Sequence, residues 1–172
     1  MTVFTIGHGV RPLDELVATL SEAGVRTLVD VRRFPGSRRN PQYNRTPLAE
    51  AVADAGIEYR HEVELGGRLS GEPGEERFAC IRVAAFRSYV ARMRTERWQE
   101  ALEDALARPA PCLMCAETVP WRCHRLLISE LLVARGHTVV HLIGPGRREH
   151  HRLGQNAEAR NGVLYLCGEP VA

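Results

Sequence analysis

The sequence contains no lysine, so all 23 of its basic residues are arginine. Codon bias alone would produce such a composition, but the chemical consequence is the same. A Schiff-base or other lysine-dependent mechanism is excluded, and every side-chain cation other than histidine is a guanidinium. Also missing is any apolar run near the roughly 20 residues that span a bilayer. The opening Met1-Thr2-Val3-Phe4-Thr5-Ile6 lacks the basic start and apolar core of a signal peptide and reads as a strand. A cytoplasmic protein with no membrane partner is expected. Charge of one sign is lacking too: the net charge is only +2. The whole-molecule field therefore does not favour nucleic acid as a partner, although local arginine clusters can still hold small anions. The five cysteines are odd in number and come without a secretory signal, which argues against a disulfide framework. They are expected to be free thiols, metal ligands or catalytic groups.

What is present is an alternation of short β-branched runs with helical spacings. Strands are expected at Val3–Ile6, Thr27–Val31, Ile57–His61, Pro111–Ala116 and Thr138–Ile143, with a last short one at Val163–Cys167. Helices are expected from Pro12 to Gly24, from Thr46-Pro47 to Gly56, across Glu76 to Ala107 with a break near Thr95, and from Cys123 to Gly136. Residues 65–74 carry four glycines and a proline and read as a lid loop. The alternation predicts an α/β fold: a Rossmann-like, mostly parallel sheet with helices on both faces, in a single three-layer domain over residues 1–172.

In such sheets ligands bind beyond the carboxyl ends of the strands. Polar residues recur there: His8 after the first strand, Asp30 and Arg32 at the second, Arg60 and His61 at the third, Cys115 and Glu117 at the fourth. Cys123, His124 and Arg125 open the following helix, whose N-terminus favours a thiolate. Arg32 through Arg39 forms an arginine loop around Pro35 and Gly36, in which Arg32, Ser37 and Arg38 are placed to grip an anion. Asp30, Cys115, Glu117, Cys123 and His124 are the candidate catalytic groups, and His8, Arg32, Ser37, Arg38 and Arg125 the candidate substrate contacts. In this assignment Asp30 orients Arg32 or transfers protons.

Other readings of the same residues are bland or weak. Cys112-x-x-Cys115 matches a redox motif in letters only, because it lies inside a strand. The stretch from Cys115 to Arg122 invites comparison with phosphate-cradling cysteine loops, but it holds a proline and no glycine. Cys115, Cys123 and His124 can be written as metal ligands, with His8 or His61 as a distant fourth, though the spacing matches no standard zinc pattern. His150 and His151 read as surface residues, and His137 and His141 as hydrogen-bonded core histidines.

Several separated segments resemble, in order, the domain of unknown function 488 family: Thr5-Ile6-Gly7-His8-Gly9, Leu28-Val29-Asp30-Val31-Arg32 with Pro35 and Ser37, Tyr59 with Leu65-Gly66-Gly67, and Cys115-Ala116-Glu117 with Cys123-His124-Arg125. The resemblance spans roughly residues 1–145 and leaves 146–172 as an extension. It implies a Rossmann-like α/β domain found widely in bacteria, and a shared site of His8, Asp30, Arg32, Cys115, Glu117, Cys123, His124 and Arg125. Gly9 stands where the family's opening motif has serine. No reaction, cofactor or oligomeric state comes with it. The expected function is an enzyme acting on an anionic small molecule such as a nucleotide or modified base. A non-catalytic nucleotide or nucleic-acid module and a metal protein are the rivals.

Overall fold

The computed structural model describes all residues from Met1 to Ala172. Its main element is a six-stranded sheet built from β1 (Thr2–Gly7), β2 (Thr27–Asp30), β3 (Glu58–His61), β4 (Pro111–Cys115), β5 (Thr138–Gly144) and β6 (Arg147–His150). The strand order is β3-β2-β4-β1-β5-β6. The first five strands pair parallel and β6 pairs antiparallel to β5. Five helices accompany it: α1 (Leu13–Glu22), α2 (Arg45–Asp54), α3 (Ala84–Met93), α4 (Glu96–Leu106) and α5 (Arg125–Ala134). A separate antiparallel sheet of β7 (Ala157–Arg160), β8 (Val163–Leu166) and β9 (Glu169–Pro170) closes the chain. No helix is long and apolar enough to cross a membrane.

Side-chain alternation along the strands divides the apolar core in two. Leu28, Cys112, Met114 and Val140 join Leu16 and Leu20 of α1 and Leu48 and Val52 of α2. Val29, Leu113, Cys115 and Val139 join the larger cluster with Tyr89, Trp98 and Ile128 of α3, α4 and α5. Cys112 and Cys115 therefore belong to different clusters, as an odd spacing on a strand requires. The chain leaves β1 through α1 for β2, and leaves β4 through α5 for β5, with α1 and α5 contributing to different apolar clusters. The two crossovers diverge at the adjacent β4 and β1 tips, which is where a parallel sheet opens a crevice.

Several expected boundaries move for identifiable reasons. The long helical stretch is split into a 3-10 turn at Glu75–Phe78, α3 and α4. Thr95 caps α4 by accepting the Trp98 N–H at 3.4 Å. Asn44, not Thr46, precedes α2, and its Oδ1 takes the Ser37 N–H at 2.7 Å, which fastens the arginine loop to that helix. Arg147–His150 is a strand although it is polar on both faces, because it is an exposed edge carried by the hairpin from β5. The proposed lid segment is anchored: Glu72 holds Arg92 at 2.6 and 2.9 Å, and Leu65 and Leu69 are buried.

The expectation that every cysteine is a free thiol, a metal ligand or a catalytic group is corrected: Cys80 and Cys167 form a disulfide with Cα atoms 5.6 Å apart. Cys167 lies in a hairpin turn at positive φ rather than in the last strand, beside Gly168, and this turn brings it to the loop before α3. Cys112, Cys115 and Cys123 remain free and buried.

Candidate active site

The strand tips meet as one edge. Gly7 is in register with Cys115, and Asp30 with both Met114 and His61. The sequence after β4 turns away through a 3-10 turn at Pro120–Arg122 and leaves Cys123 extended, with φ −142 and ψ 171. Cys123 thus precedes α5 rather than opening it; His124 is the cap and Arg125 the first helical residue. Gly7 permits this return, since a Cβ there would lie 1.7 Å from the Glu117 carbonyl oxygen.

The return places Cys123 Sγ 3.1 Å from Cys115 Sγ. Arg125, only 1% exposed, lies against both sulfurs: its Nε donates to Cys115 at 2.9 Å and to Cys123 at 3.3 Å. Its Nη2 donates to the carbonyls of Glu117 and Thr118, and its Nη1 to Thr5 Oγ1 at 3.3 Å. A buried guanidinium needs a counter-anion, and a thiolate can supply it. The Cys115 thiol donates to Cys123 and, with Arg125 and against the cost of burial, draws the Cys123 thiol down to about 6. Burial, and the hydrogen bond it donates, push Cys115 well above an ordinary thiol. Both shifts point the same way: one thiolate answers Arg125, and Cys123 is the thiol drawn down while Cys115 is pushed up.

Behind Arg125 runs a directional chain that the candidate list did not include. Thr5 Oγ1 receives from Arg125, so its own proton goes to His141 Nδ1 at 2.7 Å. His141 then carries its proton on Nε2 and gives it to His151 Nδ1 at 3.0 Å. His151 Nε2 faces Glu130 Oε2 at 3.6 Å, and Glu130 accepts the Gly154 N–H at 3.0 Å. Burial lowers His141 to about 3, which keeps it neutral and able to accept from Thr5. His151 is thus a half-buried link, its side chain 7% exposed, rather than the surface residue expected; its neighbour His150 is exposed. The signal in the sequence was Glu130, a charge in the middle of the apolar run Leu126-Leu127-Ile128-Ser129-Glu130-Leu131-Leu132.

Asp30 and Arg32 form a second centre beside the first. Asp30 Oδ1 accepts the Arg32 N–H and Nε at 3.1 and 2.8 Å, while Oδ2 accepts Arg32 Nη2 at 2.6 Å and the Tyr59 hydroxyl at 2.7 Å. Four donors saturate this carboxylate, which suits orientation of Arg32 better than proton transfer. His8 gives its Nδ1 proton to the Gly9 carbonyl at 2.8 Å and accepts Arg32 Nη1 on Nε2 at 3.3 Å. Burial lowers it to about 4, consistent with that neutral tautomer, and its ring stacks on Tyr43 at 4.2 Å. His124 donates from Nε2 to the Val31 carbonyl at 3.1 Å, away from the sulfurs. Its Nδ1 remains an acceptor beside Gly67, where a Cβ would approach to 2.6 Å.

A cavity of about 690 Å³ opens over these groups. His8, Arg32, Cys115, Cys123 and His124 reach it from below, and Ser37 and Glu117 from the sides. Arg33 and Arg39 of the arginine loop, with Arg68 and Arg122, complete a cationic rim. Phe34 and Val10 are exposed at the same mouth. Asp30 and Arg125 lie beneath rather than in the lining, Arg38 is exposed outside it, and Arg60 and His61 face a separate, smaller hollow. No group of three or more metal-capable side chains exists, and the nearest cation to the two sulfurs is Arg125 itself. Position 9 has no room for a side chain: it is at φ +54, and a Cβ would lie 2.3 Å from the Thr118 hydroxyl.

Fold and site together define an α/β protein whose largely parallel sheet carries a buried dithiol–guanidinium centre at the β4–β1 crevice. Over residues 12–132 the chain matches the family described as the domain of unknown function DUF488, and it belongs to that family. The matched stretch includes both sulfurs, Arg125, Asp30 and Arg32, and leaves His8, Thr5, His141 and His151 outside. No curated protein matches the chain. No solved structure matches it either.

Proposed function

We propose that the protein is an enzyme that binds an anionic small molecule under its arginine rim and attacks it with the Cys123 thiolate. The observation that carries this reading is the sulfur pair held by Arg125 beneath an open, cationic cavity. Cys123 supplies the nucleophile, and Cys115 and Arg125 hold its charge. Arg32, fixed by Asp30, gives the anion a guanidinium whose direction is set before binding. The His124 Nδ1 lone pair is the available base on the cavity side. A volume near 690 Å³ falls in the range of small-molecule sites and accommodates a nucleotide-sized anion.

The reading extends to a single Rossmann-like, three-layer domain, supported by apolar clusters that draw on α1 and α2 on the one hand and α3 to α5 on the other. Cytoplasmic residence is part of the same proposal; the Cys80–Cys167 disulfide is the observation against it. The metal reading is disfavoured, because Arg125 already occupies the sulfurs and His124 is turned to Val31. Nucleic-acid binding draws support from the exposed Phe34 beside Arg33, Arg39 and Arg68, and predicts affinity that falls steeply with salt and survives Cys123→Ser.

Alkylation of the native protein tests the nucleophile. Cys123 is expected to react well before the buried Cys112, and anionic iodoacetate to gain on neutral iodoacetamide relative to a free thiol in solution. Cys123 reacting no faster than Cys112 would end the proposal.

A further inference from the structure

We infer that Cys115 and Cys123 are a redox dithiol that reduces a small anionic disulfide and closes an internal Cys115–Cys123 disulfide. The inference rests on the reading of Cys123 as the cavity nucleophile and names what that nucleophile attacks. A nucleophile acting alone needs no second thiol beside it. Here the second sulfur stands 3.1 Å away, within the separation of reacting atoms in a near-attack arrangement. Closing to a bond requires an approach of about 1 Å, to the roughly 2.05 Å of a disulfide.

The two sulfurs are unequal in the way the two steps require. Both sulfurs line the cavity, but Cys123 is the more exposed, 7% against 2% for Cys115, so it attacks first. The S–S bond of a substrate R–S–S–R′ breaks, a Cys123–S–S–R mixed disulfide forms, and R′S⁻ departs. Cys123 is then neutral, and Arg125 has lost its counter-anion. Its Nε contact to Cys115 at 2.9 Å now favours the Cys115 thiolate, whose proton leaves on R′SH. That thiolate attacks Cys123 Sγ, forms the internal disulfide and expels RS⁻, which takes a proton from water. Two electrons pass from the dithiol to the substrate, which becomes two thiols. An external dithiol reductant returns the protein to its starting state.

The cavity restricts the substrate class. A peroxide needs neither 690 Å³ nor an arginine rim, whereas a disulfide bearing carboxylates, of the size of oxidised glutathione, uses both. The buried Arg125 also sets the direction of the chemistry. In the reduced state it faces a thiolate; in the oxidised state it faces two neutral sulfurs. Stabilising the reduced form makes a disulfide the more oxidising partner. Cys115–Cys123 is therefore more easily reduced than Cys80–Cys167, which has no buried cation against it in the hydrogen-bond network and serves as a reference within the same chain.

The test uses the full chain, treated with limiting dithiothreitol, desalted and mixed with oxidised glutathione, then quenched and mapped by non-reducing mass spectrometry. The expected result is a Cys115–Cys123 cross-link with two equivalents of glutathione released and Cys112 unmodified. In Cys115→Ser the glutathione half should remain on Cys123. On titration with dithiothreitol the new cross-link should open before Cys80–Cys167. A lasting adduct on Cys123 of the unmutated chain, an adduct formed first on Cys115, or opening of Cys80–Cys167 first would each overturn the inference. Rapid alkylation of Cys123 without any cross-link would sink the redox step and leave the nucleophile standing; slow alkylation would sink both.

Discussion

Arg32 and Arg125 are buried cations at the same end of the sheet, 6% and 1% exposed, yet their counter-anions differ in kind. Arg32 meets a carboxylate whose two oxygens accept four hydrogen bonds. Arg125 meets two thiols, of which one, Cys123, is drawn toward ionisation by its charge. The first arrangement fixes a direction for binding. The second stores a nucleophile. Two guanidiniums of similar burial thus divide the labour, because one is held by a carboxylate and the other faces thiols.

That contrast can be broken by substitution. Arg32→Met leaves the buried Asp30 carboxyl without its partner, and should cost about 3–5 kcal/mol of stability by chemical denaturation. Arg125→Met leaves thiols that simply take up a proton. Its stability cost should be smaller, while alkylation of Cys123 at pH 7 should fall on the order of 10-fold or more. Equal stability losses in the two variants would remove the distinction. A second comparison separates covalent from electrostatic support: the double change Cys80→Ser with Cys167→Ser, which opens a link across 87 positions, should cost about 2–4 kcal/mol yet leave the Cys123 alkylation rate unchanged.

Acid sharpens the picture further. His8 and His124 are each lowered to about 4 and His141 to about 3, all by burial, so they stay neutral in the fold after an unfolded histidine has charged. Their stabilisation is whole above about 6.5 and is lost as pH falls toward 4. Unfolding in that window should take up about three protons, measurable as the slope of denaturation free energy against pH. A flat profile between these limits would contradict the neutral state of these buried histidines. The smallest effect on rate belongs to the chain behind Arg125: Thr5→Val deletes the acceptor for Nη1 and the donor to His141, and should slow Cys123 only a few-fold while costing about 1–3 kcal/mol of stability for the buried groups left unpaired.

The parts of the fold with apolar strands were legible in the sequence. Val3–Ile6, Thr27–Val31, Pro111–Ala116 and Thr138–Ile143 announce themselves by β-branched or unbroken apolar runs, and their tips meet because parallel strands share one carboxyl edge. Arg147–His150 was not legible, since an edge strand with both faces in water carries no periodic signal. The disulfide was hidden because its reach depends on the turn at Cys167 and Gly168. Cys115, Cys123 and Arg125 were each named from the sequence, but Arg125 was assigned to substrate. Its contact with both sulfurs depends on the return of the chain against Gly7, which no local spacing announces. Thr5, His141, His151 and Glu130 come from four distant segments, and no local spacing links them.

The pH dependence of Cys123 alkylation in the native protein, followed by mass mapping of the modified peptide, tests the thiolate most directly. Arg125 and the hydrogen bond from Cys115 predict a rate that rises through an inflection near 6 and is level at neutrality. A rate that keeps climbing through the range of an ordinary thiol, with its inflection at about 8.5, would mean that Arg125 holds no charge on sulfur.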